Sequence, residues 1–291
     1  MKKLLALLMA LAMLLSLAAC GSSSSSSDAD ASADAAAEET AEDAAPADEA
    51  ESSDAAYTTI KEGVLMVGVE IGYPPMEYFD EDGVTPIGFD MELAQAVADY
   101  LGLELELVDT AWDGIFAGLD SDKYDMVMSS CSITESRQEN YLMSSPYVQN
   151  AIELLVPNGS DITGIDSVAG HTVAVQGETT SHDYLRNNDT GCEIMDYDKV
   201  INCFDELKLG RVDSVLTDSV VAAYYLGDEV NNYSVVWVNS DAEPIGATFK
   251  KGNDALCAAV EEAFDALSAD GTTASIAVTY FGNSDGVDGL R

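Results

Sequence analysis

The sequence has very few positively charged residues for its length. Its 291 residues include 12 Lys and Arg against 53 Asp and Glu, which gives a formal net charge of −41 at pH 7. Nucleic-acid binders need basic surfaces, because Lys and Arg must neutralise the phosphates. The composition therefore excludes nucleic acid as a partner, and we interpret the acid excess as a solubilising feature.

Metal-binding patterns are also missing. The chain has 2 His and 5 Cys, with no Cys-x-x-Cys motif and no pair of nearby histidines. This spacing predicts neither a metal site nor another cofactor. Beyond Cys20, the cysteines allow either free thiols or three complete pairings, and Cys192 with Cys203 is the pair close in sequence. These cysteines are Cys131, Cys192, Cys203 and Cys257.

No apolar run in the sequence is long enough for a transmembrane helix. The run from Leu4 to Ala19 follows Lys2 and Lys3 and is shorter than the roughly 20 residues that a spanning helix needs. A cationic start, an apolar stretch and small residues before a cysteine are typical of an export signal. The segment LAAC, which ends at Cys20, resembles a bacterial lipobox.

The lipobox resemblance implies that residues 1–20 are a lipoprotein signal peptide and that Cys20 carries a diacylglyceryl anchor. Two acyl chains anchor a protein durably, whereas one chain binds only marginally. We therefore expect the protein on the outer, extracytoplasmic face of the cell membrane. The alternative is an ordinary secretory signal with an incidental cysteine.

Aromatic residues are missing between residues 21 and 56, where Ser, Ala, Asp and Glu predominate. Such a segment cannot bury enough apolar surface to fold. Its like charges repel one another, which predicts a disordered, extended acidic tether. The folded part then begins at Tyr57 and is long enough for one large core or two lobes.

The folded part alternates between strand and helix patterns. Val64–Val69 is a buried strand run, and apolar spacings from Asp90 to Leu101 predict a helix with Asp90 as its N-cap. Strands alternating with helices favour mainly parallel sheets covered on both faces. The other predicted elements are strands at 103–108, 124–130, 171–175, 193–197 and 212–217, and helices at 112–119, 180–186, 198–209, 219–226, 254–269 and 272–280.

The last two predicted helices have no strand partners of their own, so we expect them to pack on the first sheet. The chain then crosses between two lobes twice, near residues 147–152 and 238–245, and paired crossings make a natural hinge. This divides the folded part into lobe 1, residues 57–148 plus 243–291, and lobe 2, residues 149–242.

A series of motifs follows in order along this folded part. They are VGVEIGYPPMEY, IGFDMELAQAVADYLGL, WDGIFAGLDSDKYDMVMSSCSITESR, SSPY, VAVQGETTSHDYL, LKLGRVDSVLTDSVVAAYY and ADGTTASIAVTYFG. Their order and spacing resemble the amino-acid-binding family of solute-binding proteins that serve ABC importers. The resemblance implies a two-lobed periplasmic-binding-protein type II α/β fold that closes on a free amino acid as a monomer and delivers it to a transporter permease.

The alternatives are an enzyme on the same fold, a dehydratase of a small carboxylate, and a ligand sensor. An enzyme needs a positioned acid or base, and Glu70, Glu178, His171 and His182 are the available side chains. A sensor would need a second apolar span or a signalling domain, which we do not find after Tyr280. We therefore expect a binding protein and not an enzyme.

Arg137 is the candidate for binding the ligand carboxylate. Burying the two charges of an amino acid costs several kcal/mol per ion unless each is paired, and the guanidinium fork can bond both carboxylate oxygens. In the family, the arginine after the SIT stretch has this role, and Ser130 and Ser132 match positions that contact the ligand. The alternative is a surface ion pair of Arg137 with Glu135 or Glu139.

The resemblance also implies polar contacts from other elements. Thr179 and Thr180, at the start of a lobe 2 helix, offer hydroxyl and backbone N–H groups to the carboxylate. Asp218 matches the residue that binds the amino group, and its alternative role is a helix N-cap. Glu70 matches an acidic position that is more often Asp, and its alternative is a solvated loop acid.

Three further residues concern the ligand side chain. Tyr73 and Trp112 match aromatic residues that sandwich it, although the pattern also fits core positions. Glu178 stands where the family commonly has a small residue, and it either points to solvent or reaches a cationic or amide-bearing ligand. We expect a polar amino acid as the ligand.

Overall fold

The computed structural model describes residues 57–227 and 232–291. Within these two ranges no helix has the length and apolar character needed to span a bilayer. The predicted signal peptide with Cys20 and the predicted tether at 21–56 lie outside the described residues.

The described residues form two five-stranded sheets and one two-stranded sheet, with helices around them. The strands are β1 Val64–Val69, β2 Tyr78–Phe79, β3 Pro86–Ile87, β4 Glu104–Asp109, β5 Met126–Val127, β6 Leu142–Met143, β7 Ile152–Pro157, β8 Thr172–Gln176, β9 Glu193–Tyr197, β10 Ser214–Asp218, β11 Tyr233–Val238 and β12 Thr248–Phe249. The α-helices are α1 Phe89–Leu101, α2 Ile115–Asp120, α3 Glu135–Asn140, α4 Thr180–Asn187, α5 Val200–Lys208, α6 Ser219–Leu226, α7 Asp254–Ala269 and α8 Thr272–Phe281.

The two large sheets define the two lobes. The lobe 1 sheet has the order β4-β1-β5-β12-β6, and β12 runs antiparallel to both of its neighbours. The lobe 2 sheet has the order β11-β7-β10-β8-β9, and β7 runs antiparallel to both of its neighbours. The other pairings within these two sheets are parallel. The expected parallel arrangement is therefore confirmed, with one reversed strand in each sheet.

The reversed strands have a common origin in the path of the chain. β7 is the first strand after the chain leaves lobe 1, and β12 is the first strand after it returns. The segments before these strands lie side by side, because Ile245 N–H donates to the Val148 carbonyl at 2.9 Å and Glu243 N–H donates to the Asn150 carbonyl at 2.9 Å. Two adjacent segments that both connect the lobes are the arrangement expected of a hinge.

The start of α1 differs from the prediction. Gly88, not Asp90, is the N-cap. The φ of Gly88 is 134°, and a Cβ there would lie 2.1 Å from the Met76 backbone oxygen, so the position needs glycine. Asp90 is instead fully buried in the first turn, where its Oδ2 accepts from the Ser130 backbone N–H at 2.7 Å.

The C-terminal helices pack on lobe 1. Both α7 and α8 contact α1, and Val260, Phe264 and Ile276 from these helices join Leu93 of α1 in one buried core. Burial of these apolar faces stabilises the return of the chain to lobe 1. It places the second crossing segment next to the first.

The cysteines past Cys20 are all free thiols. Cys131, Cys203 and Cys257 are buried, and Cys192 is partly exposed. Burial raises the pKa of the Cys203 thiol to about 12 and that of Cys257 to about 11. The Cys192–Cys203 pairing is therefore not formed. Within the described ranges no group of side chains could hold a metal ion.

Candidate functional site

A cavity lies between the two lobes. All nine residues that were predicted from the sequence to bind the ligand line this cavity, together with three that were not predicted. The selected residues are Glu70, Tyr73, Trp112, Ser130, Ser132, Arg137, Thr179, Thr180 and Asp218. The additional residues are Glu77, Ser129 and Gln176.

Arg137 belongs to the short helix α3, where the Thr134 hydroxyl caps the helix by accepting from Arg137 N–H at 3.2 Å. The guanidinium turns toward the cavity, and its Nη1 donates to the Ser132 carbonyl at 2.9 Å. In the described part of the chain Arg137 forms no ion pair. The alternative of a surface pair with Glu135 or Glu139 is therefore wrong.

Two adjacent aromatic rings lie beside the Arg137 guanidinium. Its Cζ lies 5.4 Å from the centre of the Trp112 ring and 5.4 Å from the centre of the Phe116 ring. Tyr141 stacks on Phe116 with ring centroids 5.1 Å apart. Cation–π contact of this kind is worth about 0.5–2 kcal/mol, more where water is excluded. Trp112, predicted to face the ligand side chain, thus also holds the arginine.

Asp218 ends strand β10 and is buried. It stands at the N-cap position of α6, but its side chain does not bond to that helix. Its Oδ2 accepts from the Tyr73 hydroxyl at 2.6 Å, and its Oδ1 accepts from Asn150 Nδ2 at 2.8 Å. The Asn150 side-chain oxygen takes the capping role instead, because it accepts from Ser219 N–H at 3.1 Å. The carboxylate of Asp218 therefore faces the cavity.

The pKa of Asp218 reflects these surroundings. Burial raises it, while the hydrogen bonds from Tyr73 and Asn150 and the nearby Arg137 guanidinium oppose the rise. The pKa of Tyr73 lies well above its usual value, because the ring is buried and its hydroxyl donates to this carboxylate. Tyr73 joins lobe 1 to lobe 2 through this bond.

Glu70 follows strand β1 and is 3% exposed, so it is not a solvated loop acid. The Glu70 Oε1 accepts from the backbone N–H of Trp112 at 3.2 Å, and its Oε2 accepts from Gln176 Nε2 at 2.6 Å. Burial raises its pKa, and these bonds together with the Lys199 ammonium oppose the rise. Lys199 itself donates to the Ile71 carbonyl at 2.9 Å. Glu70 therefore also links the two lobes.

Thr179 and Thr180 lie at the start of α4. The Thr179 hydroxyl accepts from His182 N–H at 3.2 Å and donates to the Gln176 carbonyl at 2.8 Å, so it is occupied in capping the helix. Thr180, the next residue, begins the helix. The free N–H groups of a helix start favour an anion there.

A pair of buried acids lies behind Ser129 and Ser130. Glu77 is 1% exposed, and its oxygens accept from the Ser129 hydroxyl at 2.7 Å and the Ser130 hydroxyl at 3.4 Å. Asp90, which bonds the Ser130 backbone, is its neighbour. Burial raises both pKa values, that of Asp90 to about 7. Sequence reasoning missed Glu77 although it stands in the motif that contains Tyr73.

Glu243, from the second crossing segment, also escaped prediction. Burial raises its pKa, while the Thr180 and Ser132 hydroxyls and the Arg137 guanidinium oppose the rise. Its Oε2 is buried without a hydrogen-bond partner in the described part of the chain. No sequence signal marks Glu243, since it sits in a segment without periodicity.

Glu178 points away from the cavity. Its backbone φ is 60°, and its side chain is 66% exposed. The Glu178 Oε1 lies 4.0 Å from Arg186 Nη1. The backbone oxygen of Glu178 accepts from Trp112 Nε1 at 2.9 Å, which is another bond between the lobes. Of the two predicted orientations for this side chain, the solvent-facing one is present.

The two histidines do not serve the cavity. His171 lies on the partly exposed surface of lobe 2. Its Nε2 is 3.7 Å from Asp161 Oδ1, and its Nδ1 is 3.5 Å from Asp213 Oδ2. The His182 ring accepts from the Glu178 N–H at 3.1 Å and so supports the start of α4. Neither imidazole is placed as an acid or base for a bound molecule.

Comparison with known proteins gives one consistent result. The model of the family described as bacterial extracellular solute-binding proteins, family 3, matches residues 65–283. The L-cystine-binding protein TcyJ of Escherichia coli (strain K12) is 33% identical over 222 residues, which cover 76% of this chain and 83% of TcyJ. The L-cystine-binding protein TcyA of Bacillus subtilis (strain 168) is 30% identical over 237 residues, covering 81% and 87%.

Solved structures agree with these relatives. An ancestral arginine-binding protein bound to arginine is 35% identical, with a TM-score of 0.72, and the match covers 76% of this chain and 99% of that one. An ancestral amino-acid-binding protein described as a precursor of cyclohexadienyl dehydratase is 33% identical, with a TM-score of 0.70 and coverage of 75% and 96%. The two-lobed type II fold is thereby confirmed.

Proposed function

This chain belongs to family 3 of the bacterial extracellular solute-binding proteins, and we propose that it holds a polar amino acid in the cavity between its lobes. The similar proteins with established names bind amino acids for transport and are not enzymes. The chain is accordingly an amino-acid-binding protein of the ABC-importer type, and neither histidine supports the dehydratase alternative.

The observation that carries the proposal is the pairing of opposite charges across the cavity. Arg137 presents a guanidinium that has no carboxylate partner among the described residues, and Asp218 presents a buried carboxylate. An amino acid carries one carboxylate and one ammonium on neighbouring atoms. Both ligand charges can be desolvated here only because each meets its opposite.

The residue roles follow from this placement. Arg137, with Ser130, Ser132 and the first turn of α4 at Thr179 and Thr180, receives the ligand carboxylate. Asp218 receives the ammonium, with Glu70 as a second acceptor from lobe 1. Tyr73 and Trp112 form walls against the ligand side chain.

Closure of the lobes completes the site. The structure already has direct bonds between lobes at Tyr73–Asp218, Gln176–Glu70 and Trp112–Glu178. We infer that ligand stabilises this closed arrangement, with the hinge at the crossing segments and lobe boundaries near residues 148 and 243.

Calorimetry of residues 57–291 tests the proposal against the standard amino acids, ornithine and cystine. We expect saturable binding of at least one polar amino acid, and small-angle scattering should show a radius of gyration that decreases with that ligand. Absence of binding to every compound in this set would refute the proposal.

We further propose that Cys20 carries a lipid anchor, that residues 21–56 hold the folded part off the membrane, and that a monomer docks on its permease. The support is the lipobox-like end of the apolar run and the acidic composition that follows it. Cys20→Ala should release the protein from the membrane fraction while leaving its affinity for ligand unchanged. Membrane retention of Cys20→Ala would contradict the anchor.

A further inference from the structure

We propose that Glu243 is a further residue of the site that receives the ligand carboxylate, and that an amino acid binds there together with one proton, which Glu243 takes up from solvent. This inference rests on the proposed function, because it concerns the place where that function puts the ligand carboxylate. It makes Glu243 a hydrogen-bond donor to the bound ligand instead of a fixed negative charge.

Backbone hydrogen bonds hold Glu243 at the junction of the two lobes. Its own N–H donates to the Asn150 carbonyl of the first crossing segment at 2.9 Å. The carbonyl of the next residue, Pro244, accepts from the Ile133 N–H of lobe 1 at 2.8 Å. The second crossing segment therefore runs beside Ser132, which precedes Ile133. These bonds fix the position of Glu243 independently of its side chain.

The Glu243 side chain approaches the groups that are assigned to the ligand carboxylate. The Ser132 hydroxyl of lobe 1, the Thr180 hydroxyl of lobe 2 and the Arg137 guanidinium all lie near enough to favour its charged form. All three residues line the cavity. When an amino acid is bound, two carboxylates, one from the protein and one from the ligand, would therefore share the same donors.

No cation balances the charge of Glu243 directly. The ion pairs of residues 57–227 and 232–291 do not include it. The charged groups that face it from other elements are Arg137 of α3 and Asp218 of β10. Burial raises the pKa of Glu243 and Asp218 adds to the rise, which the Thr180 and Ser132 hydroxyls and Arg137 oppose. Its Oε2 is buried without a hydrogen-bond partner among the described residues.

A ligand carboxylate changes this balance. It brings a second negative charge to the donors that Glu243 approaches, and two carboxylates that share a buried site raise the pKa of one of them strongly. The ligand carboxylate pairs with Arg137, and an α-carboxyl is a stronger acid than a Glu side chain. The proton therefore goes to Glu243. The new O–H donates to the ligand carboxylate, so that the unsatisfied oxygen gains a partner.

The direction of the pH dependence follows from this proton uptake. Because the complex holds one proton more than the free protein, affinity falls as the pH rises through the range above the ordinary pKa of a Glu side chain. The fall is at most about tenfold per pH unit for one proton. The effect is the same for every amino acid that binds, since all of them bring the same carboxylate.

Calorimetry with the standard amino acids, ornithine and cystine provides the first test. At pH 7, titrations in phosphate and in Tris, which differ in ionisation enthalpy, count the protons exchanged with each compound that binds. We expect wild-type protein to take up more protons than Glu243→Gln, by about half to one proton. Comparison of the two proteins cancels the groups that titrate in both.

A second variant separates the charge of Glu243 from its role as a donor. Glu243→Gln keeps a donor without the charge, so at pH 8 it should bind at least about threefold more tightly than wild type. Glu243→Met has neither donor nor charge, so it should bind more weakly than Glu243→Gln. Both variants should lose the proton uptake, and either one that is folded by circular dichroism decides that point.

Glu178→Gln is the matched control, because its carboxylate points to solvent, and it should keep the proton uptake and pH dependence of wild type. If wild-type protein takes up no more protons than the folded Glu243 variants, the inference is wrong while the amino-acid site stands. Weaker binding by Glu243→Gln than by wild type at pH 8 would likewise overturn it, because Glu243 would then act as a charge. If no amino acid binds at all, the proposed function itself fails.

Discussion

The two lobes supply the cavity with groups that are held in different ways. In lobe 1, Arg137 is fixed by the Ser132 carbonyl and two rings, and Glu77 is fixed by Ser129 and Ser130, all within the same lobe. In lobe 2, Asp218 takes one of its two hydrogen bonds from Tyr73 of the opposite lobe. Gln176 likewise donates to Glu70 across the cleft.

This difference predicts that substitutions at the two kinds of group will have different effects on binding. Arg137 and Glu77 keep their partners whether the cleft is open or closed, because those partners move with them. Each bond across the cleft is lost by both of its partners when the cleft opens. Substitution of Arg137 or Glu77 should therefore act on affinity alone, and substitutions at the cleft contacts should change both affinity and the balance between open and closed forms.

The largest effect is expected for Arg137, the lobe 1 anchor. Arg137→Ala should weaken binding by roughly two to four powers of ten, because removing one partner of a buried charge pair costs about 3–5 kcal/mol. Arg137→Lys should recover part of the loss, since an ammonium cannot bond both carboxylate oxygens in the same geometry. Calorimetry measures both.

Arg186→Ala is the control for Arg137, because Arg186 is an exposed arginine of lobe 2 whose side chain is 56% exposed. Its removal should alter affinity by less than about threefold, as for other exposed ion pairs. If Arg137→Ala also stays within threefold of wild type, the carboxylate assignment is wrong.

A smaller loss is expected for Asp218, the lobe 2 anchor. Asp218→Asn keeps the shape of the side chain but removes its charge, and binding should weaken by roughly 10- to 100-fold, as hydrogen bonds to charged groups are worth about 1.5–3 kcal/mol. Asp213→Asn, on an exposed part of the same lobe, is the control. Unchanged affinity in Asp218→Asn would place the ammonium elsewhere.

Tyr73→Phe tests the contact between the lobes directly. It removes the donor that lies 2.6 Å from Asp218 Oδ2, and a hydrogen bond of this type contributes about 0.5–1.5 kcal/mol. We expect a loss of affinity of about three- to tenfold and, by small-angle scattering, a larger radius of gyration for the ligand-free variant. An unchanged radius would show that other contacts keep the lobes closed.

The last prediction concerns stability and not affinity. Because the folded state raises the pKa of Asp90 from 3.8 to about 7, folding is favoured below that range and loses stability as the pH rises through it. One proton corresponds to a slope of about 1.4 kcal/mol per pH unit. Between pH 4 and 7, urea unfolding should show a steeper decline for wild type than for Glu77→Gln. Parallel curves would mean that the pair holds no proton.

The alternation of strand and helix patterns predicted most of the fold, because each periodicity reports which face of an element is buried. Val64–Val69, Glu193–Tyr197 and Ser219–Leu226 have the predicted bounds. The helix cap at Gly88 was not predictable in the same way. It depends on the approach of the Met76 backbone, a contact between segments that no local pattern records.

The site shows the same limit. The resemblance to a family selected residues such as Arg137 and Asp218 by type and position, and these do line one cavity. It did not reveal that Phe116 flanks the arginine, or that Glu243 approaches Thr180 from a crossing segment. Both depend on chain segments that meet only after folding.

The two rings beside Arg137 have a consequence for the thermodynamics of binding. An arginine side chain that moves freely loses about 2 kcal/mol of conformational entropy when it is fixed. Here Trp112, Phe116 and the Ser132 carbonyl restrict the guanidinium before any ligand arrives. That entropy is lost during folding, so a carboxylate that meets Arg137 gains its two hydrogen bonds without ordering the side chain that donates them.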